Sequence, residues 1–337
     1  MPNALTHKFI AEAVRDSLDV GTKSILTKFE KEYFLGSLGP DILMGLVFET
    51  NLVKRDEGER LHNDGIYASF VQTADYLSKN RDDSLYAYFL GFLTHYTTDS
   101  TIHPFVYYYI ENRLKRKYAP HLSTVIHAIV ETEMDVFVGK VYLKGKKADS
   151  FYLFKNTARV RRTIRKFFLI INKDVFNLAL SVRDMRKSYF LFKLLLFLCH
   201  RNRNGSIRFW IIRKIDAKLK ADHLFLSVLR PRKIDTSYDY LNMDKHPYRS
   251  IHKERFSAEI TYSFPEMVEL AKKRGIDLLN KAIEHINGGA SLKLDDFILN
   301  YNGAFNSEYL DAVESGRIVP KSSMELIATD DHSKSFT

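Results

Sequence analysis

The sequence predicts an all-α protein, a bundle of many helices. Three observations carry that expectation. Only 15 glycines and 8 prolines stand in 337 residues, too few turn-formers for a chain of many short strands. In several segments apolar side chains recur three and four residues apart, the period of a helix with one buried face. Hydrophobic residues make up 45% of the chain, enough for a sizeable core.

Leu5, Phe9, Ile10, Ala13 and Val14 share a face and predict a first helix, with Thr6 as its cap and His7 in its first turn. A second helix is expected over about 23–35, ended by FLGSLGPDILMG, where Gly36, Gly39 and Pro40 force a turn that presents Asp41. Residues 50–60 read as a charged loop leading into LHNDG, which puts His62 and Asp64 on the loop. Asn63 or Asp64 would cap a helix starting near Ile66, with Ile66, Phe70, Ala74 and Leu77 as its inner face. The next helix starts near Ser84 and carries LYAYFLGFLTHYTTDSTIHP, and Pro104 is expected to open a further helical segment over 105–117. Pro120 and HLSTVIH open another, which carries His127 and Glu131. Several amphipathic helices follow over 151–229, then a turn-rich stretch over 231–254. A long helix runs from Phe264 to Ile286 and stops at Asn287-Gly288-Gly289. One or two short helices and a polar tail complete the chain. The expected organisation is a compact unit over 1–150, a basic and aromatic helical region over 151–320 packed on it, and the tail over 321–337.

Charge divides the chain. Residues 151–233 hold 21 Lys/Arg against four Asp and no Glu, a net of +17, while the remainder nets −7. A segment this basic suits an anionic lipid surface, nucleic acid or phosphate groups; it suits equally a set of solvated helix faces with no partner. Phe167, Phe168, Phe190, Phe192, Phe197 and Trp210 in it read either as inserting at a membrane interface or, for most of them, as the core of a helical region. No named nucleic-acid motif supports the nucleic-acid alternative. The N-terminal MPNALTHKFIAEAV has no basic and apolar leader pattern, and the longest apolar run, over 189–199, is interrupted by Lys193 and too short for a span. A cytoplasmic protein is expected, with peripheral membrane contact through the basic segment left open and no specific protein partner in view.

The chemistry-bearing pattern lies in the first 140 residues. His95, Asp99 and His103 stand at successive spacings of four, one stripe of a helix. His127 and Glu131 repeat the spacing, with Asp135 four further on. Taken singly, each histidine reads as a core or surface residue. As a set, with Asp41 and His62 nearby in sequence, they read as zinc ligands. The single cysteine, Cys199, excludes a cysteine-based zinc site and an internal disulfide framework. His121, His200, His223, His246, His252, His285 and His332 have no paired carboxylate at helical spacing and are expected to be structural or exposed.

THKFIAEA, GSLGPDIL, LHND, GFLTHYTTDSTIHPF and HAIVETEMD, in this order, resemble the zinc-dependent phospholipase C family, the bacterial phosphatidylcholine phospholipases C and alpha-toxin catalytic domains. The resemblance covers roughly residues 1–140, with weaker agreement at LNMDKHPYRS and SFPEMVELAKKRGIDLL. It implies an all-α fold around up to three Zn2+ ions. His62, His95 and Asp99 would hold one, with Asp41 beside them as ligand or catalytic base. His103, His127 and Glu131 would hold a second, with His121 an alternative to His103. His7, with Asp99 bridging, would hold the third, which in that family also takes a processed N-terminal tryptophan. The implied activity is metal-assisted hydrolysis of a phospholipid phosphodiester, with Asp41 orienting or deprotonating the water. A single-strand nuclease shares the ligand logic, and a non-catalytic, metal-stabilised binder of acidic lipid or nucleic acid is the reading from a different class.

Overall fold

The structure, a computed structural model, describes residues 4–48, 52–114, 123–144, 158–177, 180–199, 207–219, 238–249 and 259–318. In chain order the helices are α1 (Ala4–Ser17), α2 (Val20–Lys28), α3 (Glu30–Gly36), a 3-10 segment (Gly39–Phe48), α4 (Leu52–Asn63), α5 (Ile66–Lys79) and α6 (Asp83–Tyr109). They continue with α7 (Ser123–Phe137), α8 (Ala158–Ile171), α9 (Val182–Cys199), α10 (Ile207–Leu219), α11 (Phe264–Ile286) and α12 (Ser307–Glu314). Pairing of extended backbone among the described residues is limited to two isolated bridges, Tyr248 with Ile260 and Leu299 with Phe305. The fold is all-α. No helix among the described residues is long and apolar enough to cross a membrane.

Helix α6 is the axis of the molecule. From Leu85 to Val106 its side chains are buried on almost every side, the His95, Asp99 and His103 stripe included, so it can only be stable when surrounded. Asp82 starts it by accepting from Ser84 N and Leu85 N at 3.1 Å each. Helices α1, α3, α8 and α11 all pack on it. The closest approach is to α3, where Gly36 and Gly91 let the two backbones touch; a Cβ on either would collide with a carbonyl of the other helix. That approach brings the turn after α3 down onto the middle of α6. Helix α8 is tied on by ion pairs: Arg159 Nε reaches the fully buried Glu32 of α3 at 2.6 Å, and Lys166 Nζ reaches Asp82 at 2.7 Å. Helix α11 starts with a capping box, Ser263 N and Oγ both donating to Glu266 Oε2.

Several local expectations are corrected. The stretch expected as one helix over 23–35 is two, broken at Phe29 (φ −109°, ψ 36°). Of the stretch expected as a loop over 50–60, the described residues from Leu52 on form α4, whose inner side chains Glu57 and Leu61 are buried, so His62 stands on its last turn. Polar residues all round hid this helix, which is held by packing on the 3-10 segment and by Arg60 on Glu57 at 3.3 Å. Thr6 is inside α1 and not its cap. Neither Asn63 nor Asp64 caps α5; Gly65 (φ 59°) holds the cap position, and Glu308 of α12 accepts from Tyr67 N at 2.7 Å and Ala68 N at 3.0 Å. Pro104 does not begin a new segment; α6 runs through it to Tyr109. The Phe264–Ile286 helix has the expected bounds, with Gly288 (φ 82°) just past its end. Of the aromatics read two ways, Phe167, Phe168 and Phe192 are buried, and Phe190 and Trp210 are exposed. The side chains of Phe197 and His121, and the tail over 321–337, lie outside the described residues.

Candidate metal centre

Five elements deliver the eight singled-out side chains. Helix α1 brings His7, the 3-10 segment Asp41, α4 His62, α6 the stripe His95, Asp99 and His103, and α7 His127 and Glu131. They fall into three donor groups whose ligand atoms lie within 4.8 Å of one another: His7, His95 and Asp99; Asp41, His62 and His95; His103, His127 and Glu131. Asp99 joins them. Its Oδ1 is 3.1 Å from His7 Nε2 and 3.9 Å from His103 Nε2, and its Oδ2 is 3.0 Å from His95 Nε2. His62 Nε2 lies 3.3 Å from Asp41 Oδ1. Glu131 Oε1 lies 3.2 Å from His103 Nε2 and 3.0 Å from His127 Nε2. His95 faces two groups, a sharing that the spacing alone does not reveal.

The far ring nitrogens explain the near ones. His95 Nδ1 is 3.2 Å from Ser37 O, His62 Nδ1 is 2.7 Å from Gly58 O, and His103 Nδ1 is 2.9 Å from Tyr301 O. A carbonyl only accepts, so each Nδ1 carries the hydrogen and donates. In the neutral ring each Nε2 is then left with a lone pair turned toward a carboxylate oxygen. Acceptor facing acceptor at this range is repulsive until a proton or a cation lies between. His7 Nδ1 and His95 Nε2 are buried without a hydrogen-bond partner.

Charge tells the same story. Burial would raise the Asp99 carboxyl, yet the imidazoles of His103, His95 and His7 pull it well below the usual carboxylate range. Burial likewise opposes the lowering of Glu131, and nearby positive charge, the imidazoles of His127 and His103 among it, overcomes it. Asp41 is drawn down to about 2, burial again outweighed, with His62 and His95 among the groups that pull it. His103 is pushed up to about 9, because Asp99 and Glu131 outweigh the burial that disfavours its charge. Three ionised carboxylates in one largely buried cluster demand positive charge.

A family comparison decides what class of site this is. The model of the zinc dependent phospholipase C family matches residues 6–182, more than half of the chain. The chain belongs to the zinc-dependent phospholipase C family. No curated protein and no solved structure matches it.

Zinc fits the donors that this member of the family offers. Imidazole nitrogen and carboxylate oxygen are its preferred donors in the absence of cysteine. Two ligands of one tetrahedral zinc stand about 3.3 Å apart for bonds near 2.05 Å, which matches the 3.0–3.3 Å contacts of His62, His95, His103 and His127 with their carboxylates. Backbone carbonyls that orient ligand histidines are the usual outer support of such sites.

Three supports escaped the sequence. Gly39 (φ 51°) lies so close to the His95 ring that a Cβ would strike it, so this glycine lets the turn carrying Asp41 press against α6. Asp135, buried, accepts from Leu5 N at 3.2 Å and from Thr6 N and Oγ1 at 2.9 Å each. It thereby caps α1 from α7 and sets His7, the next residue, over Asp99. The loop between Leu299 and Phe305 closes the site from beyond the family match. Tyr301 N donates to His62 O at 3.3 Å, its carbonyl holds His103, and its ring packs on His62 and His95 with centroids 5.4 and 5.5 Å away. Asn300 and Asn302 both donate to Asn63 Oδ1, at 3.2 and 2.9 Å. The spacing of four that marks Asp135 was its only signal; the 299–305 loop has none, since it works through backbone and amides. His285, expected to be structural, bonds Asp75 at 2.7 Å and accepts from Leu292 N at 3.1 Å.

Proposed function

We propose that the protein hydrolyses the phosphodiester of a phospholipid and releases the phosphorylated headgroup, with His7, Asp41, His62, His95, Asp99, His103, His127 and Glu131 holding up to three zinc ions. The observation that carries this reading is the convergence of those side chains, from five separate elements, into three donor groups, two of which share His95, with Asp99 of one lying 3.9 Å from His103 of the third. Zinc held there supplies a bound water with its pKa lowered to about 7 and positive charge for the phosphate oxygens.

The chain's own residues do the rest. Asp41, on the rim of the cluster and ionised above about pH 2, accepts a hydrogen bond from the attacking water and aims its oxygen. The carbonyls of Ser37, Gly58 and Tyr301 keep three imidazoles in the tautomer that leaves Nε2 free to ligate. The Tyr301 ring, raised well above the usual phenol range by burial and by Asp99 and Asp41 nearby, stays neutral and walls the site.

Metal analysis of the full-length protein, together with release of nitrophenol from p-nitrophenylphosphorylcholine, tests this. Two or three zinc ions per chain and turnover that a chelator abolishes and zinc restores are the expected results. Bound zinc with no turnover of that ester, of phospholipid or of single-stranded DNA would leave a metal-stabilised binder. Turnover of single-stranded DNA alone would make it a nuclease.

A further inference from the structure

We infer that the outer faces of α9 and α10 dock the protein on an anionic phospholipid bilayer. All of α10 and all but the first residue of α9 lie beyond the residues that the family model matches. The surface is argued from its own side chains; that the same bilayer holds the substrate rests on the reading above.

Helix α9 turns Met185, Tyr189 and Phe192 inward and Arg183, Arg186, Phe190 and Leu194 outward. Phe190 is 64% exposed, next to cations one turn away. The inner side rests on the 3-10 segment that presents Asp41: Ser188 Oγ donates to Ile42 O at 3.1 Å, and Asp184 pairs with Lys54 of α4 at 2.9 Å. A bilayer met by the outer side of α9 therefore lies one helix away from a catalytic segment.

Among the described side chains of α10, those of residues 210–218, a narrow stripe of Ile212 and Asp216 is buried. Opposite it, Trp210, Lys214, Lys218, Ile211 and Ile215 fall within an arc of about 140° at 100° per residue. Trp210 is 56% exposed, and Lys214 Nζ sits 3.7 Å from the centre of its ring. Among the described residues Arg183, Arg186, Lys193, Arg213, Lys214 and Lys218 make no ion pair. Arg159 and Lys166 of α8, by contrast, are engaged by Glu32 and Asp82.

Cations alternating with exposed indole, phenyl and branched aliphatic groups match a headgroup layer, which takes the charge at the surface and the apolar groups just beneath it. Nucleic acid would use the charge and the indole but would leave Leu194, Ile211 and Ile215 in water. A second copy of the same face would oppose cation to cation.

Trp210 is the chain's single tryptophan, so its fluorescence reports α10 alone. The full-length protein is mixed with vesicles of phosphatidylcholine, with or without phosphatidylserine, and with vesicles whose acyl chains are brominated. The expected result is co-sedimentation with the anionic vesicles, a blue shift of the emission and quenching by bromine. Lys214→Glu with Lys218→Glu is expected to weaken binding by about tenfold or more. Ile211→Ser with Ile215→Ser is expected to weaken it while keeping its salt dependence. Both variants should keep the wild-type melting temperature and turnover of the soluble phosphocholine ester. No sedimentation, or sedimentation without shift or quenching, overturns the inference. Binding of a single-stranded oligonucleotide but not of vesicles, or lipid-free self-association that shields Trp210, overturns it as well. Turnover of the soluble ester is read separately, so failure of the docking and failure of the phospholipase reading are distinguishable.

Discussion

Asp99 carries the densest set of contacts in the centre, within 3.1 Å of His7 and His95 and 3.9 Å of His103. Asp99→Asn keeps its volume and removes its charge. The expected outcome is loss of at least one zinc per chain together with loss of activity; lost activity at unchanged zinc content would count against Asp99 as the shared ligand. Asp135 acts through the start of α1, where it accepts from Leu5 and Thr6. Asp135→Asn is expected to weaken the zinc position nearest His7 by about 10–100-fold, the range for outer supports of metal ligands, with the other positions filled. Competition against a zinc indicator resolves this, and equal affinity at every position would refute it. A third expectation concerns protons. His103, pushed up to about 9, is protonated at neutral pH in the metal-free protein, and a ligand imidazole must be neutral. Zinc uptake should release protons in an unbuffered titration and should tighten as pH rises through that value.

At the scale of the element, the legible and the illegible parts of the chain separate by what holds each helix. Phe264–Ile286 was readable because its cap, its apolar period and its terminal glycine are all local. The α6 stripe was readable because a spacing of four on a helix needs no partner to be seen. Helix α4 was not, since it presents no apolar stripe and forms against the 3-10 segment. Nor was the entry into α5, whose orphan N–H groups are met by Glu308, about 240 residues away. The attachment of α9 is likewise non-local and gives a pH prediction. Hydrogen bonds from Ser181, then the pairing with Lys54, hold the Asp184 carboxyl down at about 2 against an ordinary 3.8. A depressed carboxyl stabilises the fold above its unfolded value and loses that contribution as pH falls through the folded one. The contribution is thus complete above about pH 5 and gone near pH 1, and it amounts to at most about 2 kcal/mol. Urea midpoints of the wild type should fall across that window more steeply than those of Asp184→Asn; parallel curves would show that the pair contributes nothing.

For the whole molecule, the centre is the point where chain segments distant in sequence are forced together. Residues from α1, the 3-10 segment, α4, α6 and α7 meet there, and the 299–305 loop seals it, so ions bound at that point cross-link the molecule from end to end. Without them the same point must hold Asp99, Glu131 and Asp41 against each other, with protons on the imidazoles as the remaining source of positive charge. Metal binding to the folded chain alone stabilises by mass action, about 4 kcal/mol at a thousandfold excess over the dissociation constant. A chelator is therefore expected to lower the melting temperature by several degrees and to do so more at pH 10 than at pH 7, because below about pH 9 a proton on His103 stands in for part of the lost charge. Calorimetry of zinc-loaded and stripped protein at both values checks this. Superimposable scans, with metal analysis confirming that the ions had been removed, would mean that the cluster does not tie the fold together.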